Sequence, residues 1–455
     1  MPSISDVPAE ILQAIFLEAA AMSSESCSYI LLPVQEPRVP CQHILLQVCR
    51  YWNSLASAMP YLWSDIHIVW RGEGYTSQVV AFARRAIRLS GTLPLDFHFK
   101  FRGWYDLADD LLAESHRWRE IDFGTSPPTT VQLRALSGRV PKLESITFNH
   151  PRDNTIGEAY VEAVSHAFHD APAFRRLDCN VNLLGARFPW HQLEHFSIPD
   201  IRARAPLNIH TSLLGVLSSP SLLKLIIKEV SLPRPFIVRN SNIRELEYHC
   251  ADDGSWLERL YLPSLCKATL KPSRRRTIEM FTQFVHRSGC RLSDLHYDDW
   301  ALGWSDRLNT DFPGLFDALP QLASLTLDVS GRTASSTLPT VCNQLQRSNP
   351  VLSRVHIDIG AIDASDTLRI LFDGVEALNN LLTIPSLKCA SVHIVTDWDL
   401  RDYVAPAASV KTRIDEVEAK AKAQKVRIAF QLVEQAGIGY SAAFKAQATR
   451  RYNLL

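Results

Sequence analysis

The sequence lacks several features that would assign it to a functional class directly. Its 48 basic and 48 acidic residues leave a formal net charge of zero, so nothing attracts it generally to nucleic acid or an anionic membrane. No apolar run approaches the roughly 18 residues needed to span a bilayer. The first residues also lack the basic and apolar regions of a signal peptide. We therefore expect a soluble intracellular protein, cytoplasmic or nuclear, with no nucleic-acid or membrane partner.

Patterned cysteine and the common catalytic motifs are absent as well. The nine cysteines are scattered singly with no Cys-x-x-Cys, which predicts reduced thiols rather than a disulfide framework. There is no phosphate-binding Gly-x-x-x-x-Gly-Lys, no Gly-x-Ser-x-Gly and no Gly-x-Gly-x-x-Gly. We expect no catalytic residue, no cofactor and no metal site. An enzyme whose site is assembled from distant loops remains an alternative.

Four short stretches could carry chemistry, and each has a simpler interpretation. His191 and His195 are four residues apart, as zinc ligands on a helix are, but the repeat pattern places them near a strand, which favours a surface pair. The acidic stretches "ADDGSW" at 251 and "YDDW" at 297 are interpreted as turns rather than calcium loops. The basic stretch "KPSRRR" at 271 is interpreted as a solvated loop rather than a nuclear-import signal.

A hydrophobic template recurs along most of the chain. Leu-x-x-Leu-x-Leu or a close variant begins at eleven positions: 118, 143, 174, 193, 222, 243, 265, 292, 322, 352 and 387. The spacings run from 19 to 35 residues, and leucine-rich repeats have periods of roughly 20–29 residues. Each such repeat supplies a strand that buries its apolar side only against its neighbours. The pattern predicts parallel strands with helices on the outer face. The asparagine of regular repeats is missing here, so we expect an irregular solenoid.

Charged side chains occupy the template positions between the inward-pointing residues. Alternate residues of a strand point to opposite faces, so these positions should share a concave polar face that binds a protein target. The residues assigned to target binding are Arg176, Lys224, Glu245, Glu247, Lys267, Asp294 and Arg354. The same face should hold Asp178, His195, Ser197, His296 and His356. It carries four basic and four acidic side chains, whereas a nucleic-acid reader should present a basic stripe.

Two amphipathic helices are predicted before the repeats. The first begins near Pro8, and its apolar positions spread wider than one core requires, which indicates a second contact on the free side. The second should run from about residue 42 to 59, ended by Pro60. Its predicted buried positions are Leu45, Val48, Trp52, Leu55 and Met59. Cys49 should lie on or near that buried face, and Trp63 should fold back against the helix.

The stretches "VPAEILQAIF", "VCRYWNSLA" and "PYLW" occur in the order found in F-box modules, and residues 5–66 resemble that family in its fungal, basidiomycete-type form. The spacer between the helices is longer than in a typical F-box. The resemblance implies a small helical module that docks onto a Skp-type adaptor and, through it, a cullin. The implied adaptor-binding residues are Val7, Pro8, Ile11, Leu12, Ile15, Val48 and Trp52. Chance amphipathic helices are the simpler alternative.

These observations together predict an α/β protein in three parts. They are an F-box module in residues 1–70, a leucine-rich-repeat-like solenoid in 71–410, and a C-terminal cap and tail in 411–455. The predicted function is substrate recognition within an SCF-type cullin-RING ubiquitin ligase, as a non-catalytic subunit. The alternative is a leucine-rich-repeat scaffold or protein-binding module outside any ligase, with the N-terminal helices capping the solenoid.

Overall fold

The computed structural model describes residues 7–27, 41–69, 76–100, 107–124, 127–148, 157–179, 181–198, 209–228, 237–250, 256–272, 275–298, 312–360, 364–396, 407–435 and 449–453. The predicted spacer loop and the "ADDGSW" turn fall largely outside these ranges. No helix within them is long and apolar enough to cross a membrane. The chain forms two compact units, and the boundary between them passes through a strand and a helix around residues 197–217.

The first unit starts with the N-terminal helices. They are α1 (Ala9–Cys27), α2 (Cys41–Val48) and α3 (Arg50–Ser57), followed by a 3-10 turn at Pro60–Trp63. The single helix expected between residues 42 and 59 is therefore two helices, and that prediction was wrong. The break lies at Cys49, whose extended backbone (φ −162°, ψ 171°) lets its sulfur accept a hydrogen bond from Trp52 N. Cys49 is exposed, not buried as expected.

The remaining elements of the first unit alternate between strand and helix. They are β1 (Asp65–Val69), α4 (Thr76–Leu89), β2 (Leu95–Lys100), α5 (Ala108–Ala113), β3 (Trp118–Asp122), α6 (Thr130–Ala135), β4 (Ser145–Phe148), α7 (Glu158–Phe168), β5 (Arg176–Cys179), β6 (His195–Ile198) and most of α8 (Ile209–Leu217). The strands lie side by side in chain order, with parallel pairing from β1 to β5. The sheet thus begins with β1, inside the range assigned to the F-box module.

The second unit continues the same alternation. Its elements are β7 (Lys224–Lys228), β8 (Val238–Arg239), β9 (Glu245–Cys250), β10 (Leu260–Tyr261), β11 (Lys267–Pro272), α9 (Arg275–Ser288), β12 (Asp294–Asp298), α10 (Phe312–Asp317), β13 (Ser324–Ser330), α11 (Gly331–Ser348), β14 (Arg354–Gly360), α12 (Ala364–Leu381), β15 (Cys389–Thr396), α13 (Ala407–Ala423), β16 (Arg427–Gln435) and β17 (Thr449–Asn453). Its main sheet has the order β7-β9-β11-β12-β13-β14-β15-β16-β17, and β8 pairs with β10 separately. Pairing is parallel except between β16 and β17.

All eleven template copies form strands, which confirms the predicted α/β fold of parallel strands joined by helical or irregular segments. Burial follows the template, as in the copy at 322, where Leu322, Leu325 and Leu327 are at most 1% exposed. Each strand thus buries one apolar side against the connecting segments and leaves the other side polar, as a stack of leucine-rich repeats requires.

Buried asparagines act at a position that the sequence analysis did not consider. Asn240 and Asn349 lie three residues before the templates at 243 and 352, and each is at most 5% exposed. Asn240 Nδ2 donates to the carbonyls of Leu217 and Ser219, and Asn349 Nδ2 donates to the carbonyl of Leu319. These bonds satisfy carbonyls at the end of the preceding connecting segment, so two repeats are tied together without an asparagine after the strand.

The C-terminal tail contains β17, which pairs antiparallel with β16. Two smaller predictions were wrong. Asp298 of the "YDDW" stretch belongs to β12 rather than to a turn. The basic stretch at 271 is divided, since Lys271 and Pro272 end β11 and Arg275 begins α9.

Candidate binding surfaces

The core of the N-terminal helices is small and aromatic. Phe16 and Trp63 are at most 1% exposed, and the Phe16 ring lies 4.8 Å from that of Trp52. Trp63 Nε1 donates to the carbonyl of Ala56 at 2.8 Å, which ties the 3-10 turn back onto α3 as predicted. Five aliphatic side chains complete the core at 2% to 7% exposed: Leu12, Leu45, Leu46, Met59 and Leu62. Aromatic rings bury the most area per side chain, so in a module this small they carry a large share of its stability.

Four of the aliphatic side chains outside this core form two pairs on α1 and α2. Ile11 and Ile15 on α1 are 53% and 50% exposed, and Ile44 and Val48 on α2 are each 51% exposed. Each pair has i, i+4 spacing, so each pair shares one face of its helix. We refer to Ile11, Ile15, Ile44 and Val48 as the N-terminal apolar face. The sequence analysis did not single out Ile44, although its i, i+4 spacing to Val48 was an available signal.

The residues that the F-box resemblance implies for adaptor binding differ in how far they are buried. Ile11, Ile15, Val48 and Pro8 are exposed, and Val7 is partly exposed. Leu12 is 2% exposed, so its assignment to the free face was wrong: on α1 it lies on the side of Phe16, which is 0% exposed. Trp52 and Leu55, expected in the core, are only partly buried, and Val48 is exposed rather than buried.

The polar side of the second unit's sheet carries most of the residues assigned to target binding. Strand register aligns Lys224, Glu245, Lys267 and Asp294 across β7, β9, β11 and β12. Their charges alternate from strand to strand. We call this set, continued through Ser324 to Arg354, the charge row.

Members of the charge row pair with one another. Lys224 Nζ lies 3.7 Å from Glu245 Oε2, and Lys267 Nζ lies 3.7 Å from Glu245 Oε1. Arg354 Nη2 lies 4.0 Å from Asp294 Oδ1. These pairs are between 30% and 68% exposed, so each contributes only about 0–1 kcal/mol. A partner with matching charges could displace them at little cost.

Arg176 belongs to β5 in the first unit, where Nη1 lies 3.9 Å from Glu120 Oε2. His195 belongs to β6 and His191 to the turn before it, and neither is part of a metal-compatible group among the described residues.

Glu247 has a strongly perturbed pKa on this face. His249 Nε2 lies 2.7 Å from Glu247 Oε1. This contact lowers the pKa of Glu247 from 4.5 to about 2, against an opposing effect of burial and with help from Lys224 and Lys228. The carboxylate is therefore held in its charged form by its neighbours.

Stability of the second unit should depend on pH through Glu247. Because the folded pKa is depressed, the stabilisation is present above pH 4.5 and is lost as the pH falls toward about 2. Between pH 4.5 and about 2, the unfolding free energy of Glu247→Gln should decrease less than that of the wild type, by up to about 3 kcal/mol. Urea unfolding at pH 7 and pH 3 measures the effect. Glu245→Gln is the matched control, and an equal change in both variants would contradict the assignment.

Two groups on the polar side could hold a metal ion. Asp65, His67 and His98 form one, and His356, Asp358 and His393 form the other. Within each group the ligand atoms lie within 4.8 Å of one another. No metal site was predicted from the sequence, because the motifs considered there place their ligands close together along the chain. For the second group, the available signal was a histidine or aspartate at polar positions of the successive template copies at 352 and 387. The first group lies on β1 and β2, which contain no template copy.

Comparison with known proteins adds little to this description. No model of a known protein family and no curated protein sequence matches the chain. Among solved structures, the chain is similar to the leucine-rich repeat-containing protein LegL7 from Legionella pneumophila, with a TM-score of 0.38 and 10% sequence identity. That similarity covers 77% of this chain and 98% of LegL7. Parallel strand order, register and the burial of the template positions define the fold of this chain.

Proposed function

We propose that this chain is the substrate-recognition subunit of an SCF-type cullin-RING ubiquitin ligase. The N-terminal helices would dock onto a Skp-type adaptor, and the polar side of the sheet would bind a protein target. The observation that carries the proposal is the exposed N-terminal apolar face. This face lies within residues 5–66, the stretch that resembles an F-box. The chain itself would be non-catalytic and would act by holding its target near the cullin-bound machinery.

The composition of the N-terminal apolar face suits a protein partner. Burying an exposed aliphatic side chain contributes roughly 1.5–3 kcal/mol, so four half-exposed ones represent a substantial driving force. Interfaces of this kind depend on a few apolar anchors at a centre with little charge. Glu10 and Glu18 are exposed neighbours on α1 and would lie at the rim.

Charge placed on this face should prevent adaptor binding. Ile11→Asp combined with Ile15→Asp should weaken binding to a purified Skp-type adaptor at least about thirtyfold, because burying an unpaired carboxylate costs several kcal/mol. Both side chains are about half exposed, so the module should still fold. Calorimetric titration of the full chain measures the affinity.

The matched control is Leu17→Asp on the same helix. Leu17 is 41% exposed and lies about 200° around the helix from Ile15. It should leave adaptor affinity within about threefold of wild type. Unchanged affinity in the Ile11 and Ile15 double variant would remove the ligase proposal.

The charge row supports the second half of the proposal. Alternating, exposed ion pairs suit a partner that offers both signs of charge, and such complementarity sets specificity and association rate. A nucleic-acid reader would need a basic stripe, and the charge row alternates in sign instead.

A second candidate is a scaffold in which the N-terminal helices cap the first strand. The packing of the module against the sheet favours it: the Trp63 ring lies 6.3 Å from that of Phe82 on α4, and Asp96 N donates to the carbonyl of Ser64 at 2.9 Å. A solenoid end needs such a cap. Full-length chain that binds no Skp-type adaptor would favour the scaffold. Deleting residues 1–70 would not separate the two functions cleanly, because it removes β1 as well.

A further inference from the structure

Six acidic and histidine side chains meet on the polar side of four neighbouring strands. Register aligns Asp298, Asp328 and Asp358 on β12, β13 and β14, and Asp358 is in turn aligned with His393 on β15. Neighbouring strands are about 4.8 Å apart, and like charges placed opposite one another destabilise a sheet. Lys271 Nζ lies 3.6 Å from Asp298 Oδ2, and His296 Nε2 lies 3.1 Å from Asp328 Oδ2. The neighbours of Asp358 are instead two histidines, His356 and His393, which are also metal ligands.

The ligand atoms of His356, Asp358 and His393 are spaced for one small metal ion. Asp358 Oδ1 lies 3.1 Å from His356 Nε2 and 3.4 Å from His393 Nδ1. A tetrahedral zinc site has metal–ligand distances of about 2.0–2.1 Å, which puts neighbouring ligand atoms about 3.3 Å apart. The two measured separations bracket this value.

The orientation of the two imidazole rings also fits. The rings of His356 and His393 lie 4.5 Å apart with an angle of 82° between their planes. A nitrogen lone pair lies in its ring plane, so two nearly perpendicular rings can direct their lone pairs to one point. The other ring nitrogen of His356, Nδ1, lies 2.6 Å from Ser391 Oγ. Metal-binding histidines are held in this way, with the second nitrogen bonded to an oxygen that fixes the ring.

The second group provides an internal comparison. His67 Nε2 lies 2.8 Å from Asp65 Oδ1, but His98 Nε2 lies 3.8 Å from it. The His67 and His98 rings are stacked 4.3 Å apart with only 14° between their planes. Their lone pairs lie in two nearly parallel planes, so an ion between the rings would lie well outside the plane of at least one ring. In the group of Asp65, His67 and His98, the distances permit a metal ion but the orientation of the two rings opposes it.

We propose that His356, Asp358 and His393 form a binding site for a divalent transition metal, with zinc as the favoured ion. Two imidazole nitrogens and one carboxylate oxygen are ligands that zinc accepts, and three protein ligands leave a fourth position for water or a side chain of a bound partner. A metal ion bound there would link β14 to β15, because His356 and Asp358 lie on β14 and His393 lies on β15. It stands independently of the proposed ligase function, since its ligands lie on the sheet and not on the N-terminal helices.

Calorimetric titration of the chelator-treated full chain with zinc chloride tests the site. We expect one zinc ion per chain, no heat from magnesium chloride, and a higher unfolding temperature with zinc. His393→Gln and Asp358→Asn should each reduce zinc affinity at least about tenfold, and Ser391→Ala by about 10–100-fold. His98→Gln, the matched control in the other group, should bind zinc as wild type does.

Each outcome of these titrations either supports the proposed zinc site or contradicts it. Ser391→Ala removes no ligand, so it stays informative if a ligand variant fails to fold, which far-ultraviolet circular dichroism reports. Absence of zinc binding by the wild-type chain would overturn the proposal and leave the group as a histidine–aspartate ion-pair cluster. Zinc binding that survives Asp358→Asn and His393→Gln, or that is lost in His98→Gln, would place the metal elsewhere and overturn it equally.

Discussion

Trp63→Ala should unfold the N-terminal helices while the strands of the second unit stay folded. Trp63 is 1% exposed and is among the largest fully buried side chains of the described chain. Truncating a buried aromatic costs about 3–5 kcal/mol, and the substitution also leaves the Ala56 carbonyl without the indole donor. A module of about sixty residues rarely holds that much stability in reserve.

Hydrogen exchange measures this effect locally, which suits a chain of two units. Amides of α3 and β1 should exchange faster by the factor that 3–5 kcal/mol implies, about 10²–10³ or more. Trp63→Phe keeps the ring packing and loses only the donor, so it should cost about 1–3 kcal/mol. Trp52→Ala should cost less than Trp63→Ala, because Trp52 is only partly buried. The reverse order would show that the core is packed differently.

Arg117→Met should destabilise the first unit by about 3–5 kcal/mol. Arg117 is 3% exposed. Its guanidinium donates to the carbonyls of Ile87 and Leu93, to Ser90 Oγ and to the Glu114 carboxylate, at 2.7 to 3.0 Å. Ile87 lies in the last turn of α4, where a cation also meets the negative end of the helix dipole. Methionine would fill the space but would remove all four donated bonds, and the Ile87 carbonyl would keep only the bond from Ser90 Oγ.

Arg84→Met is the matched control for Arg117→Met. Arg84 lies on the same helix, α4, and its Nε donates to Asp110 Oδ2 at 2.8 Å, but the two side chains are 53% and 37% exposed. An exposed pair of this kind contributes about 0–1 kcal/mol. Opening free energies of β2 and β3 amides, taken from hydrogen exchange, compare the variants. Equal effects at the two arginines would contradict the role assigned to burial.

Strand positions were the most predictable part of the fold. A buried strand in a stacked repeat needs apolar residues at fixed offsets, and eleven template copies satisfy that need locally. Leu322, Leu325 and Leu327 illustrate why: each is buried whatever the neighbouring connecting segment does. The periodic pattern follows directly from the need to bury one side of each strand. The strand positions can therefore be predicted without knowledge of the tertiary contacts.

The N-terminal helices were less predictable because one local bond redirects the chain. Apolar periodicity continues from Leu45 to Met59 and indicates a single helix. The cap formed by Cys49 interrupts it, and Asn53 Nδ2 donates to the Leu46 carbonyl at 2.7 Å to satisfy the end of α2. Cysteine is an uncommon N-cap, so propensity gives no warning. The break leaves Val48 on the surface.

Side-chain groups assembled from separate strands escaped the sequence analysis altogether. Asp358 and His393 are 35 residues apart and meet only because β14 and β15 pair in register. Register decides this contact, and a one-residue shift in pairing would separate the two side chains. Arg117 meets Ile87 across 30 residues by a different route, because a 3-10 turn at Ser115–Arg117 packs against the end of α4. The template locates each strand but does not state which polar positions become neighbours.

Hydrogen exchange of the full chain, alone and with a purified Skp-type adaptor, tests the proposed docking most directly. The proposal predicts slower exchange in α1, α2 and α3 when the adaptor binds, with amides of β7 to β15 unchanged. It further predicts that the Ile11→Asp and Ile15→Asp double variant shows no such slowing. Slowing confined to the sheet, or no difference with saturating adaptor, would contradict the assignment of the N-terminal apolar face as an adaptor-binding surface.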